Sequence, residues 1–361
     1  MSGDRDELFG IDRRKAIVTA VAAVVILAAS VFLIGQVASF PLMLRALRRA
    51  DRVWFAVCFV GELVAYAGYI AAYREFARVD GGPRLPIWTV TRVVAVGFGA
   101  FIAGSSFGTL GVDYWALHKA GETPHRAARR VLALNTLQWG VLAAAAAAVS
   151  GAILLVLRRA TAPLWMEIAW LVVVPACVGA AAWVSSPRRA DRFTALPARE
   201  RMHPTRSPVT WAPWLRTAGR IALADAIGGV VLVRRALTQP RRYPLALIGF
   251  PIFWAGDVLT LYAGLRAFGA HVGILELVLA YTTAYVITSL PLPAGGAGGV
   301  EAGLAFSLNA VGVELAPALL ATLVYRFFTL WLPIAIAAVA LTQVDDLAEE
   351  LPLVERERAS G

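Results

Sequence analysis

A chain of 361 residues that is 59% hydrophobic, with only 16% charged residues and a mean hydropathy of +0.67, is not an ordinary soluble domain, which carries about 25% charge. Its net charge of +10 is almost all arginine, Lys15 and Lys119 being the only lysines, and sits in loops between apolar runs. That is the positive-inside bias of a membrane protein rather than the footprint of a nucleic-acid binder. Cys58 and Cys177 both lie in apolar runs, so neither a disulfide framework nor a metal site is indicated, and no dyad-repeat pattern suggests an outer-membrane barrel.

A charged segment, 1–15, leads into an apolar run from Ala16 to Val37 that is too long for the apolar core of a cleavable signal. It reads as the first transmembrane helix. Apolar runs of roughly bilayer-spanning length follow at 53–73, 88–110, 131–157, 163–184, 243–267, 272–290 and 314–341, giving an all-α, polytopic helix bundle of about eight spans. Between the first two runs, Arg45, Arg48, Arg49 and Arg52 are spaced by three and four. They fit a short helix at headgroup level or an ordinary basic loop. The first membrane half is 16–184. A basic linker, 185–242, opens with a proline-rich stretch to Trp214 and continues as 215–237, an apolar centre broken by Asp225 and flanked by arginines. That centre is too short to span, so an interfacial or partly buried helix is expected there. The second half is 243–341, and 342–361 is an acidic tail whose composition from Asp345 onward predicts disorder.

The stretch Pro291-Leu-Pro-Ala-Gly-Gly-Ala-Gly-Gly-Val-Glu301 interrupts the second half. Prolines and glycines make a poor helix interior, and such a break before a short helix exposes backbone N–H groups at membrane depth. A weaker counterpart, Gly104-Ser-Ser-Phe-Gly-Thr-Leu-Gly-Val-Asp113, occupies the first half, and Gly61-Glu62 is matched by Gly256-Asp257. This predicts an internal repeat with one or two broken or re-entrant segments and a site at the repeat interface. Whether the repeat is parallel or inverted is open at this level.

A helix beginning near Val300 would present a partial positive charge suited to a phosphate, and Gly295, Gly296, Gly298 and Gly299 would let a headgroup approach the backbone. Arg326 lies deep in an apolar run, where a charge costs about 2.5–3.5 kcal/mol and needs a partner. Glu301, Glu276 and Asp257 are the candidates. Glu301 could equally act as a helix-start acid or meet a cationic group on a ligand. Asp113 is the matching acid of the first half, while Arg92, Asn135 and Gln138 read as interhelical hydrogen-bonding residues. His118, His125, His203 and His271 have no metal-ligand spacing, and no phosphate-binding loop, dinucleotide fingerprint or nucleophile elbow occurs. No cofactor and no enzymatic activity are expected.

Pro293 to Glu301, followed by Tyr325-Arg326 and Trp331-Leu-Pro333, resembles the signature of the flippase-like transmembrane family, which includes the N-terminal membrane region of lysylphosphatidylglycerol synthase, the multiple peptide resistance factor. The motif covers 291–333 and the span layout suits the whole chain. The resemblance implies a lipid translocase. In bifunctional relatives this region moves aminoacylated phosphatidylglycerol between leaflets, and other relatives are thought to handle polyprenyl-linked or hopanoid lipids. The matching positions are Gly295, Gly296, Gly298, Gly299, Glu301, Tyr325 and Arg326. The sequence runs only a short way past Leu341, without the relatives' soluble aminoacyl-transferase region, so lipid synthesis is not expected of it. The expected ligand is an anionic or phosphate-bearing lipid, the expected location a bacterial plasma membrane, and a separately encoded lipid-modifying enzyme an expected partner. Two alternatives stand beside translocation: an integral-membrane transferase subunit using Asp113, Glu301 or Asp257 as a base, and a scaffold for a partner enzyme.

Overall fold

A computed structural model of the protein describes residues 45, 48–104, 106–157, 162–191, 211–289, 296, 298–341, 344 and 346–351; the expected span at 16–37 lies outside them. The regular structure in these residues is helical, as it must be where no water is present to satisfy the backbone. In order come α1 (Val53–Ala77), α2 (Ile87–Gly104), α3 (Ser106–Lys119) and α4 (Pro124–Gly151), which continues as a π-helical stretch, Ala152–Leu157. Then follow α5 (Leu164–Val184), α6 (Trp211–Thr238), α7 (Pro244–Ala267) and α8 (Ile274–Tyr285), with a 3-10 turn, Val286–Ser289, at its end. The last are α9 (Gly299–Ala310), α10 (Leu315–Arg326), a π-helical stretch Phe327–Trp331, and α11 (Leu332–Leu341). Among the described residues, five helices are long and apolar enough to cross a membrane: α1, α4, α5, α7 and the α10–α11 rod.

The run 88–110 is not one span. α2 stops at Gly104, and α3 folds back along it, so that Thr109 Oγ1 donates to Gly97 O at 3.0 Å. Hydropathy averages across Gly104-Ser-Ser, whose residues favour a reversal over a straight helix. The run 272–290 is likewise shorter than a span, and α9 returns along α8: Gly303 sits against Ile287 and Ala284, and Ala310 packs on the cluster that holds Leu279.

These two hairpins open on opposite faces. Asp51 N donates to Ala267 O at 3.0 Å, while Arg266, Gly269, Glu314 and Pro317 line one recess with Arg45 and Arg49. The start of α1, the end of α7 and the start of α10 therefore share one face, and the α8–α9 hairpin opens there. On the other face Arg74 Nε donates to Leu85 O at 3.2 Å, and Arg130 lies 3.3 Å from Glu122, so the α2–α3 hairpin opens on that side. The halves run in opposite directions, which settles the orientation left open by the sequence: the matching segments are inverted.

α1 and α7 cross antiparallel at the centre. A Cβ on Gly61 would lie 2.9 Å from Gly256 O, and one on Gly68 2.6 Å from Gly249 O. Only glycine permits such an approach, and small residues are how helices pack tightly without a hydrophobic drive. The residues paired by sequence similarity, Gly61-Glu62 and Gly256-Asp257, thus meet physically.

Of two peripheral elements, the helix expected at 215–237 is present and is not among those long and apolar enough to span, whereas the tail departs from expectation. α6 is a longer helix, 211–238, laid along the start of α4, and its mid-helix Asp225 accepts from His125 Nδ1 at 2.8 Å and Arg129 Nε at 3.0 Å. The acidic tail is not wholly disordered: 346–351 is helical, Leu347 and Leu351 are buried, and Glu350 accepts from Thr89 and Arg92. An acid-rich composition hides two leucines four apart that make one apolar stripe.

Candidate functional site

The helix after the break begins at Gly298, whose φ of +85° is a conformation that favours glycine. Glu301 curls back so that Gly298 N–H donates to its Oε2 at 2.6 Å, and Arg326 Nε donates to its Oε1 at 2.8 Å. This is half of a capping box, since glycine has no side chain to return the bond. Of the roles open to Glu301, the geometry shows two at once: it caps α9 and it pairs with Arg326. Both partners are nearly inaccessible, at 2% and 4% exposed. Their placement also suits both helix dipoles, the acid in the first turn of α9 and the arginine in the last turn of α10.

Arg326 is the last of the twelve residues of α10, roughly 17 Å from its first at the helical rise. Against a hydrocarbon core about 30 Å thick, that is near mid-depth. The π-helical stretch begins at the next residue, a local widening often found at functional sites.

Arg326 also lines a cavity of about 80 Å³ between the two hairpin tips. Phe101 and Leu110 come from one hairpin, Tyr285 and Thr288 from the other, and Asn135 and Gln138 from α4. Asp113 reaches the cavity from α3 and is 1% exposed. It accepts a long 3.5 Å bond from Tyr69 Oη, and its Oδ1 is buried without a hydrogen-bond partner among the described residues.

The sequence-derived site residues divide accordingly. Glu301 and Arg326 are in contact, with Gly298 as the capped donor, and Asp113 shares Arg326's cavity. Gly299 opens α9, and Gly296 is buried with φ of +75°. Gly295 lies outside the described residues. Tyr325 donates to Asp257 Oδ2 at 2.9 Å. Asn135 and Gln138, read as structural, line the cavity, whereas Arg92 is engaged by Glu350. Glu276 is only half-buried, beside Gly273, and does not partner Arg326 among the described hydrogen bonds. Three residues escaped sequence reasoning as site members. Glu62 was noted only as half of a repeat pair. Tyr281 donates to Asp257 Oδ2, and Tyr285 stacks on Tyr281 at 5.1 Å. A Tyr-x-x-x-Tyr spacing on one helix face was the available signal.

Half-membrane hairpins inserted from opposite faces, with a buried ion pair between them, define a polytopic α-helical integral membrane protein. The chain belongs to the family of the lysylphosphatidylglycerol synthase TM region, which it matches over residues 17–337. That family ties it to membrane lipid modification. No curated protein matches the sequence.

Proposed function

We propose that this protein binds a phosphate-bearing lipid, such as an aminoacylated phospholipid or a lipid-linked carrier, and moves it between the leaflets of a bacterial plasma membrane. The observation that carries this reading is the placement of Arg326, a buried guanidinium lining a cavity near mid-depth between two hairpin tips. A headgroup phosphate is the anion a lipid could bring there, and a guanidinium offers it charge-assisted, geometrically matched hydrogen bonds. Asn135 and Gln138 supply neutral donors around it, while the acyl chains stay in the bilayer.

The cavity holds only a few water molecules at its present size. A headgroup therefore enters only when a hairpin tip moves aside, and inverted hairpins give each leaflet its own gate. A separately encoded lipid-modifying enzyme would supply an aminoacylated cargo.

The test is reconstitution in vesicles carrying fluorescent phosphatidylglycerol, with transbilayer exchange read by chemical quenching of the outer leaflet. Wild type accelerates exchange, and Arg326→Ala slows it at least about tenfold, the effect of some 1.4 kcal/mol. No acceleration by wild type, or full acceleration by Arg326→Ala, overturns the proposal.

A further inference from the structure

A second acidic group lies beside the Arg326–Glu301 pair, and binding a phosphate does not require it. The α1–α7 crossing brings Glu62 and Asp257 close enough to interact electrostatically, and both are buried, at 6% and 4% exposed. Tyr325 and Tyr281 both donate to Asp257 Oδ2. Glu62 Oε2 is fully buried and has no hydrogen-bond partner among the described residues.

The groups facing this pair come from several helices. α1 itself adds Tyr66, which interacts with both acids. α8 adds Tyr281 and Tyr285, α10 adds Tyr325 and Arg326, and α9 adds Glu301 through Arg326. Asp113 on α3 meets α1 further along, at Tyr69 and Tyr73. The cations of the other helices packed on α1, Arg92 of α2 and Arg130 of α4, are engaged near the second membrane face by Glu350 and Glu122.

Glu62 and Asp257 are thus neighbouring buried acids, while the guanidinium of Arg326 already serves Glu301. Two neighbouring carboxylates cannot both ionise cheaply, and each uncompensated charge at membrane depth costs several kcal/mol. A metal ion could balance them, but among the described residues no three His, Cys, Asp or Glu side chains are grouped to hold one. A proton shared by the two acids balances them without any further ligand.

We propose that Glu62 and Asp257 form a proton-binding site that holds one proton between them and thereby sets how strongly Arg326 is held by acids. Asp257 attracts Arg326. With the proton bound, that attraction weakens and the guanidinium is more available to an anion; with it released, the acids retain the arginine. Resting on the lipid reading above, this couples the two ligands: proton and phosphate each favour binding of the other, by the same factor.

The test is pH-difference infrared spectroscopy of the full chain in lipid nanodiscs, reading the carbonyl stretch of protonated carboxylic acids. Wild type shows a buried acid band that titrates as pH is raised. Glu62→Gln and Asp257→Asn each lose it, Glu62→Asp keeps it at a shifted position, and sodium chloride in place of choline chloride leaves it unchanged. A band unaltered in both neutral variants, or one abolished by sodium, overturns the proposal, and the sodium comparison needs no variant to fold. The vesicle assay separates the two readings. A titrating band without lipid exchange leaves the proton site standing and the lipid reading refuted. Exchange without a titrating band does the reverse.

Discussion

The two re-entrant hairpins approach one cavity from opposite faces, yet they meet it with opposite electrostatics. The α8–α9 hairpin brings Glu301 already matched, its oxygens shared between the Gly298 N–H and Arg326. The α2–α3 hairpin brings Asp113 at the aligned position with only a long tyrosine bond and one buried oxygen unpartnered among the described residues. Inversion therefore repeats the scaffold and leaves the charge unrepeated. One acid is held by a cation and a helix end, while the other has no ion pair among the described residues.

The largest expected break in this comparison is Glu301→Gln against Asp113→Asn. Glutamine can keep one acceptor for Gly298 but then turns an amide N–H toward Arg326, removing the carboxylate that accepts from its Nε. Removing one partner of a buried pair costs about 3–5 kcal/mol. Asparagine at 113 keeps an acceptor for Tyr69 and abandons no cation, so its cost stays under about 1 kcal/mol. Thermal unfolding in detergent, followed by circular dichroism, measures both. Equal losses would show that the two acids are electrostatically equivalent after all.

How far the sequence went differs along the same line. The glycine break, the acid after it and the arginine 25 residues on are chemically exceptional in an apolar chain, and the hydrogen bond from Arg326 to Glu301 joins two of them. Hydropathy also located the long helices, because a membrane leaves the backbone few choices. It carried the run 88–110 across the first hairpin turn, since apolar flanks mask Gly104-Ser-Ser, although the glycine pattern marked Gly104–Asp113 as a weaker break. It missed the grouping of Glu62 with Asp257 and two tyrosines, since that depends on the Gly61–Gly256 crossing, a contact between residues almost two hundred positions apart. The buried tail helix was lost in its charges: Leu347 and Leu351 are outnumbered by acids.

A smaller effect should separate the hairpin tips themselves. Gly298 adopts φ of +85° to start α9, so Gly298→Ala puts a Cβ into the left-handed region at a cost of about 1–2 kcal/mol. Because the strain sits at the residue whose N–H holds Glu301, the variant also loosens the ion pair. The melting midpoint should fall, and vesicle exchange should fall with it. A loss of stability with unchanged exchange would detach the cap from the site.

The smallest effect has the opposite sign and comes from Gly111 of the other hairpin, which stands two residues before Asp113 as Gly299 stands before Glu301. Gly111 stands inside α3, with no atom within 4 Å of the position a Cβ would take. Alanine there meets nothing, and it removes the backbone freedom that makes mid-helix glycine unfavourable by about 0.5–1 kcal/mol. Gly111→Ala should therefore raise the melting midpoint slightly and leave exchange intact. Were exchange to fall while stability rose, the α3 glycine would be needed for bending during gating rather than for space, and the two hairpin tips would be more alike in motion than they are in charge.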